Sequence, residues 1–263
     1  MDLKLRDKVA LVCGSSSGLG LAVGKRLSEE GCRVALNGRD ADRLRDAVSS
    51  ITTDGDGSVE GFQADVSAKD DAEQLVHRVV DKFGRLDILL CNAGGPRSTG
   101  FDDTRVDEWQ AALDLNLLST IHLCRAAVPH MTAANWGRVI CLTSVAAKEP
   151  LPGLILSTTA RAGVLGFAKA LSDEVAADGV TVNVVCPGYM KTGRVDDLVH
   201  ERSQREKRPE EQIWSELTAR IPMKRVGDPD EFGATVAFLA SPLAGYITGV
   251  ALAVDGGYIR SIV

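Results

Sequence analysis

The sequence lacks the features that mark membrane-inserted, secreted or nucleic-acid-binding proteins. No apolar run reaches the length of a membrane span, and the first residues (Met1-Asp2-Leu3-Lys4) contain no apolar core of a signal peptide. A net charge of −6 and a pI near 5.3 argue against binding to nucleic acid or to an anionic membrane through positive charge. We therefore expect a cytoplasmic protein whose partners include no nucleic acid and no membrane.

Cysteine and histidine are too scattered to predict a disulfide framework or a metal site. The six cysteines stand far apart, and five of them lie in apolar segments that are typical of strands or helix faces. The four histidines show no paired spacing. We predict buried, reduced cysteines and no bound metal.

Tyrosine is scarce as well. The chain has three tyrosines, Tyr189, Tyr246 and Tyr258, and aromatic residues make up 5% of the sequence. Phenol groups that could take part in proton transfer are therefore restricted to these three positions.

What the sequence does contain is a regular alternation of short β-branched runs and amphipathic segments. The predicted strands are Val9–Cys13, Val34–Leu36, Val59–Ala64, Ile88–Cys91, Val139–Thr143, Val182–Cys186 and Val250–Val254. The predicted helices are Leu19–Glu30, Asp42–Ile51, Ala68–Phe83, Arg105–Met131, Ala160–Ala177 and Asp230–Leu239. Strands that are apolar on both faces and separated by helices indicate βαβ units. We predict one α/β domain over residues 1–263, with a doubly wound, Rossmann-like, mostly parallel sheet of seven strands and helices on both faces.

One segment departs from this alternation. Residues Thr192–Glu216 are rich in charge, with the runs Arg205–Arg208 and Glu210-Glu211 between two core elements. The segment is either a solvated helical face or a mobile lid. Because it follows the carboxyl end of the sixth strand, where open α/β sheets bind ligands, we expect a substrate lid at residues 192–216.

A glycine-rich turn joins the first strand to the first helix. Its spacing is Gly14-x3-Gly18-x-Gly20, and the loop also contains Ser16, Ser17 and Leu19. Glycine lets the backbone turn tightly and approach a pyrophosphate, whose charge then meets the helix N-terminus. A strand, this turn and a helix in this order predict a dinucleotide site.

The end of the second strand bears on the choice between NAD and NADP. A protein that binds NAD usually has an acidic residue there for the ribose hydroxyls, whereas this chain has Leu36-Asn37-Gly38-Arg39. A guanidinium without a carboxylate suits a 2′-phosphate. Against this, Arg39 can be a solvated loop charge, and Ser17 stands where many NADP-binding proteins have a second basic residue. We predict NADP(H), with NAD(H) as the alternative.

In these motifs and in several others the chain resembles the short-chain dehydrogenase/reductase family, in particular its members similar to 3-oxoacyl-ACP reductases. The matches are the glycine turn with Cys13 in place of the family's threonine, Asn92-Ala93-Gly94, Asn116, Ser144, Pro187-Gly188 and Asp255-Gly256-Gly257. The resemblance implies an oxidoreductase that transfers a hydride between a nicotinamide and a small-molecule carbonyl or alcohol. It leaves the substrate open, because loops that recognise substrates vary.

The resemblance implies further contacts with the nucleotide. Asp65-Val66 matches the family's adenine contact, with an N-cap of the third helix as the alternative for Asp65. Asn92-Ala93-Gly94 resembles the segment that supports the sheet and lines the cofactor. Pro187-Gly188 with Thr192 resembles the segment that fixes the nicotinamide amide.

Two polar side chains match catalytic residues of the family. Ser144, at the end of the fifth strand, matches the serine that hydrogen-bonds the substrate carbonyl, where charge develops during hydride transfer. Asn116 matches the asparagine that interrupts the long helix Arg105–Met131 and binds a water of the proton relay. The alternatives are a helix or loop cap for Ser144 and an incidental polar residue for Asn116.

The family's proton donor is absent from the chain. Thirteen residues after Ser144 the family has a tyrosine, followed one helical turn later by a lysine, and these positions hold Ser157 and Arg161. An aliphatic hydroxyl is far less acidic than a phenol, whose pKa a neighbouring cation can lower. Arg161 keeps the positive charge and can hold ribose hydroxyls, but it does not release a proton near neutral pH.

Three hypotheses are therefore open. The first is a reductase or dehydrogenase whose proton comes from Tyr189, from Lys148 or from water, with Tyr189 the best placed because it follows Pro187-Gly188. The second is a catalytically inactive nucleotide-binding protein that serves as a sensor or assembly subunit. The third is a lyase resembling halohydrin dehalogenases, which have an arginine at the lysine position but lose the nucleotide loop and keep the tyrosine. We favour the first.

The resemblance also implies a homo-oligomer, either a tetramer or a dimer. Members of the family pack the long helices corresponding to Arg105–Met131 and Ala160–Ala177 against their copies and pair their last strands. Both helices have broad apolar faces here, which fit such an interface and equally fit burial in the core.

Overall fold

The computed structural model describes residues 1–51 and 58–262, and within them the seven predicted strands form one parallel sheet. The strands are β1 (Val9–Val12), β2 (Arg33–Gly38), β3 (Val59–Gln63), β4 (Ile88–Cys91), β5 (Gly137–Leu142), β6 (Val180–Pro187) and β7 (Ala251–Val254). Their order is β3-β2-β1-β4-β5-β6-β7. The order reverses between β1 and β4, where sheets of this kind bind ligands. The predicted fold class is confirmed, and the predicted strand bounds differ from these by at most two residues.

The helices lie between the strands in the predicted positions. They are α1 (Gly18–Glu29), α2 (Ala41–Ser49), α3 (Lys69–Phe83), α4 (Val106–Leu113), α5 (Ser119–Ala133), α6 (Ile155–Val175), α7 (Gly193–Glu206), α8 (Glu210–Arg220) and α9 (Pro229–Ala240). Within the described ranges, no helix is both long and apolar enough to cross a membrane.

Alternating residues of each strand face two separate apolar layers. In β1, Val9 and Leu11 pack into the layer that contains α3, α5 and α6, whereas Ala10 and Val12 pack into the layer that contains α1 and α9. Both faces of the inner strands are thus buried. Burial of each large aliphatic side chain stabilises the fold by about 1.5–3 kcal/mol. All six cysteines are buried as free thiols.

The third strand is less buried than the sequence suggests. β3 lies at the edge of the sheet, where Phe62 is buried and Gln63 is exposed. Glu60 on this strand pairs with Lys82 of α3 at 2.8 Å. The prediction that all strands are apolar on both faces is therefore wrong for β3, because an edge strand is covered incompletely.

The long helix Arg105–Met131 is interrupted at Asn116, as the family resemblance implied. The interruption is a π-helical turn at Asp114–Leu118, which divides the helix into α4 and α5. The helix predicted from Ala160 begins five residues earlier, at Ile155. Ser157 and Arg161 consequently lie one turn apart near the start of the same helix.

Candidate active site

A cavity of about 470 Å³ opens at the carboxyl ends of β1, β4, β5 and β6. Most of the predicted site residues line it: Gly14, Ser17, Gly18, Leu19, Gly20, Asn92, Ala93, Gly94, Ser144, Ser157, Arg161, Pro187, Gly188, Tyr189 and Thr192. The predicted residues that do not line it are Ser16, Arg39, Asp65, Val66, Asn116 and Lys148. The fold therefore brings one nucleotide-binding motif and one group of candidate catalytic residues to a common space.

The three glycines of the turn have different structural roles. Gly14 and Gly18 have positive φ angles of +57° and +59°, which glycine adopts without strain. A Cβ at Gly20 would overlap the Gly14 carbonyl oxygen, so this glycine allows the turn to pack on itself. A Cβ at Gly18 would have Thr192 as its nearest neighbour, at 3.8 Å. All three glycines line the cavity, and a side chain at Gly18 would meet the least protein.

The N-terminus of α1 fits a phosphate group. Ser17 is its N-cap residue and makes no side-chain capping bond, and the first turn contains no acidic residue. The first backbone N–H groups of a helix have no partner within it and carry partial positive charge. The residues present therefore fit the pyrophosphate of a dinucleotide in the position that the glycine spacing predicts.

Two asparagines, the buried Asn37 and the partly buried Asn92, hold the glycine turn in place. Asn92 Nδ2 donates to the carbonyl oxygens of Cys13 at 3.1 Å and Gly14 at 2.9 Å. Asn37 Oδ1 accepts from the Gly14 amide at 3.3 Å, while its Nδ2 donates to the Phe62 carbonyl at 3.0 Å. The role of Asn37 was missed in the sequence, although an amide within an otherwise apolar strand is a recognisable signal.

The expected adenosine end contains a basic residue that the sequence analysis did not select. Arg43 of α2 lines the cavity, and its Nη2 donates to Ser17 Oγ at 3.4 Å. A Cβ at Gly38 would lie 3.1 Å from Ser16 Cβ, so the end of β2 packs closely against the glycine turn. Arg43 supplies from a neighbouring helix the second positive charge that the turn itself lacks.

Arg39 and Asp65 lie beside this end of the cavity and face each other. Arg39 Nη1 is 3.9 Å from Asp65 Oδ2, and the arginine side chain is 69% exposed. The alternative assignment of Asp65 as the N-cap of α3 is wrong, because Ala68 is the N-cap residue and Asp65 Oδ1 accepts from Ser67. The Val66 side chain is buried in the core, which leaves its backbone as the group nearest a ligand.

Ser144 lies at the end of β5 with a defined hydrogen-bond role. Its Oγ accepts from the Ala146 amide at 3.1 Å and caps a short 3₁₀ turn. The capping alternative is therefore correct as a structural role. Since an oxygen lone pair is used in this contact, the hydroxyl hydrogen can point into the cavity toward an acceptor.

Arg161 is buried beneath the same part of the cavity and binds backbone oxygens. Its Nη1 donates to the Thr143 carbonyl, and its Nη2 donates to the Gly94 carbonyl at 3.4 Å. Its Nε has no protein partner. Burial, with a smaller contribution from Arg194, lowers the pKa of Arg161 to about 10, so the guanidinium stays charged near neutral pH.

Asn116 in the π-helical turn contacts the same loop. Its Nδ2 donates to the Gly94 carbonyl at 2.8 Å, and its buried Oδ1 has no protein partner. The backbone carbonyl of Asn116 accepts from Thr120 Oγ1 at 3.1 Å, which satisfies an oxygen at the helix irregularity. Asn116 thus fixes the loop after β4 from behind the cavity lining.

The candidate proton donors differ in whether they line the cavity and in what they contact. Ser157 is buried and lines the cavity. Tyr189 also lines it, but its ring packs edge-on against Tyr258 with 5.2 Å between centroids, and burial raises its pKa. Lys148 Nζ donates to the Ala251 carbonyl of β7 at 3.0 Å and does not line the cavity. The pKa of Tyr189 is thus shifted away from that of a donor that works near neutral pH.

The charged segment Thr192–Glu216 forms α7 and most of α8. Arg194 Nη2 donates to the Pro96 carbonyl at 2.8 Å, which joins α7 to the loop after β4 across the cavity. Arg202 binds Glu206 at 2.7 Å and Glu216 at 2.8 Å, which joins α7 to α8. Residues of α7 therefore line the cavity, and α7 is connected to α8.

Comparisons with known proteins agree with this arrangement. A family model described as enoyl-(acyl carrier protein) reductase matches residues 14–259. A 3-oxoacyl-[acyl-carrier-protein] reductase from a Synechocystis species is 37% identical over 257 residues, which cover 97% of this chain and 98% of the relative.

Solved structures are similar over the whole chain. L-sorbose reductase from Gluconobacter frateurii, complexed with NADPH and L-sorbose, is 30% identical with a TM-score of 0.93, and the match covers 100% of both chains. YwfH, an NADPH-dependent reductase involved in bacilysin biosynthesis, is 28% identical with a TM-score of 0.90, and the match covers 97% of this chain and 100% of that one.

Proposed function

Because the chain belongs to the short-chain dehydrogenase/reductase family of oxidoreductases, we propose that it is an NADP(H)-dependent enzyme with an altered proton donor. In this proposal it transfers a hydride between the nicotinamide and a carbonyl or alcohol substrate. The observation that best supports it is the one cavity that the glycine turn, Ser144 and Arg161 all line. The turn suits a dinucleotide, and the other two suit a carbonyl oxygen on which charge develops.

The preference for NADP(H) is supported by the charge at the end of β2. No carboxylate can project from Gly38 toward the ribose. Arg43 binds Ser17 of the glycine turn. Arg39 follows Gly38, which packs against Ser16. We propose that these two guanidinium groups bind the 2′-phosphate. The two similar solved structures are of NADPH-dependent or NADPH-bound reductases, which agrees with this choice.

The chain's own residues would perform the chemistry as follows. A nicotinamide held by the predicted contacts would supply the hydride. Ser144 donates a hydrogen bond to the carbonyl oxygen, since its own oxygen already accepts from Ala146. Arg161 supplies a positive charge beneath this part of the cavity. It also fixes the backbone of Thr143 and Gly94, which line the cavity, by donating to their carbonyl oxygens.

We propose that water delivers the proton. A phenol is missing at Ser157, whose short side chain lines the cavity and leaves room there for a solvent molecule. Tyr189 is a poorer donor because burial raises its pKa, and Lys148 is bound to β7. Under this proposal Tyr189→Phe retains activity, whereas a large loss would assign the proton to Tyr189.

The proposal is tested by measuring binding and turnover separately. Calorimetry should show NADPH binding, and oxidation of NADPH should follow with at least one member of a panel of ketones and 3-oxoacyl thioesters. Ser144→Ala should lower kcat/KM by about 100-fold or more without a comparable loss of NADPH affinity. Thr132→Ala, which removes an exposed hydroxyl that donates to the Pro129 carbonyl far from the cavity, is the matched control.

A second candidate function is a nucleotide-binding protein without redox activity. It is favoured by the binding of Arg161 to two backbone carbonyls and by the absence of a phenol at position 157. This candidate predicts that the protein binds NADPH, that Ser144→Ala leaves the NADPH affinity unchanged, and that no member of the panel is reduced. That result would contradict the proposed enzyme activity.

We also propose that the chain forms a homo-oligomer through its last strand. β7 pairs with β6 on one side and has no partner strand on its other side within the described residues. Apolar side chains are exposed on and near it, with Tyr246 fully exposed and Val250 and Leu252 each 39% exposed. Sedimentation should show a dimer or tetramer that Leu252→Glu dissociates, and a monomeric wild-type chain would contradict this.

A further inference from the structure

A second cavity of about 190 Å³ lies beside the first, between α7, α8 and the segment after β5. The two cavities share four wall residues: Leu151, Leu154, Tyr189 and Leu198. A molecule whose carbonyl lies at Ser144 can therefore extend past Tyr189 into the second space. Because a cavity of about 150 Å³ accommodates a benzene ring, the volume suits an apolar group of that size.

The inner walls of the second cavity are apolar. Val199 of α7 and Ile213 and Leu217 of α8 line it, and each is buried. Tyr189 and Tyr258 add the faces of two packed rings. These surfaces favour a hydrocarbon or aromatic group over a sugar-like one, which would leave hydroxyls without partners.

The charges around the second cavity are not balanced. Its lining includes one carboxylate, Glu206, which accepts from Arg202 at 2.7 Å and from Arg208 at 3.1 Å. Arg205 and Arg220 also line it, and neither has a carboxylate within 4.0 Å in the described part of the chain. The Arg220 guanidinium lies over the Tyr258 ring at 5.3 Å. Two exposed arginines without a carboxylate partner in the described residues thus adjoin an apolar space in a chain whose net charge is −6.

We propose that the substrate is an organic acid. Its apolar body, of about the size of an aromatic ring or a short acyl chain, fills the second cavity, and its carboxylate binds Arg205 and Arg220. Its carbonyl reaches Ser144 through the opening beside Tyr189. This inference rests on the proposed function, since it names the substrate class of that same site.

The test compares a keto acid with its neutral amide. Calorimetry in the presence of NADP⁺ measures the affinities of 4-acetylbenzoate and of 4-acetylbenzamide, in which the ketone lies at one end of the ring and the acid or the amide at the other. Wild-type protein should bind the acid at least about tenfold more tightly, the effect expected of a hydrogen-bonded ion pair. Arg205→Gln and Arg220→Gln should each reduce that preference, and the double variant should abolish it. Arg225→Gln removes an equal charge from a surface pair with Glu231 and should leave the preference unchanged.

The outcomes separate this inference from the proposed function. Equal affinities for the acid and the amide, or a preference that survives in the double variant, would overturn the inference. Reduction of both ketones by NADPH with equal kcat/KM would overturn it too, while leaving the proposed function intact. Selective binding of the acid without any NADPH oxidation would support the anion site and count against the enzyme.

Discussion

Asn116 and Arg161 donate hydrogen bonds to the same acceptor, the carbonyl oxygen of Gly94, with Asn116 Nδ2 at 2.8 Å and Arg161 Nη2 at 3.4 Å. Arg161 also donates to the carbonyl of Thr143 at the end of β5. Its guanidinium therefore bridges the segments that follow β4 and β5, with a separate Nη nitrogen for each carbonyl. A lysine has a single nitrogen for both contacts. We infer that Arg161 positions the wall of the cavity in addition to supplying charge.

The first prediction concerns the stability that these contacts provide. Arg161→Lys should lower the free energy of unfolding by about 1–3 kcal/mol, because at least one buried carbonyl contact to a charged donor is lost. Urea denaturation measures the change. Arg45→Lys is the matched control, since Arg45 is 70% exposed and pairs with Asp42 on the surface of α2. An Arg161→Lys protein as stable as the wild type would show that the two backbone contacts contribute little.

The second prediction distinguishes two glycines of the turn. Gly20→Ala should lower the free energy of unfolding by about 1–3 kcal/mol, because its Cβ would overlap the Gly14 carbonyl oxygen. Gly18→Ala meets no atom closer than 3.8 Å, but it places a side chain at a φ of +59°, which should cost about 1–2 kcal/mol of stability. Because its Cβ would lie at the cavity, it should also reduce NADPH affinity by about tenfold, or about 1.4 kcal/mol. Urea denaturation measures the stability, and calorimetry measures the affinity. Unchanged NADPH affinity in Gly18→Ala would contradict the assignment of Gly18 to the nucleotide.

The sequence predicted the sheet well because the signal for a buried parallel strand is local. Runs such as Ile88–Cys91 are apolar throughout and are bounded by turns, and this run was predicted with its observed bounds. The edge strand β3 was predicted as fully buried because the order of strands, which places it at the edge, depends on tertiary structure. The interruption of the long helix at Asn116 was expected from the family resemblance, whereas its π-helical form was not.

The candidate site was predictable where a motif occupies adjacent positions in the chain. The glycine turn and Asn92-Ala93-Gly94 are such motifs, and both line the cavity. Arg43 was missed because its proximity to Ser17 joins residues 26 positions apart. The partners of Arg161 were also unpredictable, since both are backbone carbonyls, which leave no mark in the sequence.

The third prediction concerns the preference for NADP(H). Arg43→Gln and Arg39→Gln should each weaken NADPH binding by about tenfold while leaving NADH binding nearly unchanged, because a charge-assisted contact to the 2′-phosphate is lost. Arg45→Gln lies on the same helix but pairs with Asp42, and it serves as the control. Parallel losses of NADPH and NADH affinity would show that the two arginines do not discriminate the 2′-phosphate.

The fourth prediction concerns the link between α7 and the loop after β4. Arg194→Gln removes a charged donor to the Pro96 carbonyl and should loosen the proposed lid. We expect a higher KM for the ketone and faster proteolysis within residues 192–216, with little change in the free energy of unfolding. Arg225→Gln is again the control of equal charge. If the KM and the proteolysis rate both stay at wild-type values, α7 is a fixed wall of the cavity.

The fifth prediction concerns the missing proton donor. Arg161 has a pKa of about 10 and the pKa of Tyr189 is raised, so neither changes protonation between about pH 6 and about pH 9. With water as donor, kcat/KM for ketone reduction should therefore be nearly independent of pH in this range.

The double variant Ser157→Tyr/Arg161→Lys introduces a phenol beside an ammonium, which should raise the rate by about tenfold or more. Because a general acid must be protonated, that added rate should fall as pH rises through the pKa of the new phenol. Ser157→Phe/Arg161→Lys has the same bulk without the hydroxyl and should show no gain. A pH-dependent wild-type rate, or an equal gain in the phenylalanine variant, would contradict the assignment of the proton to water.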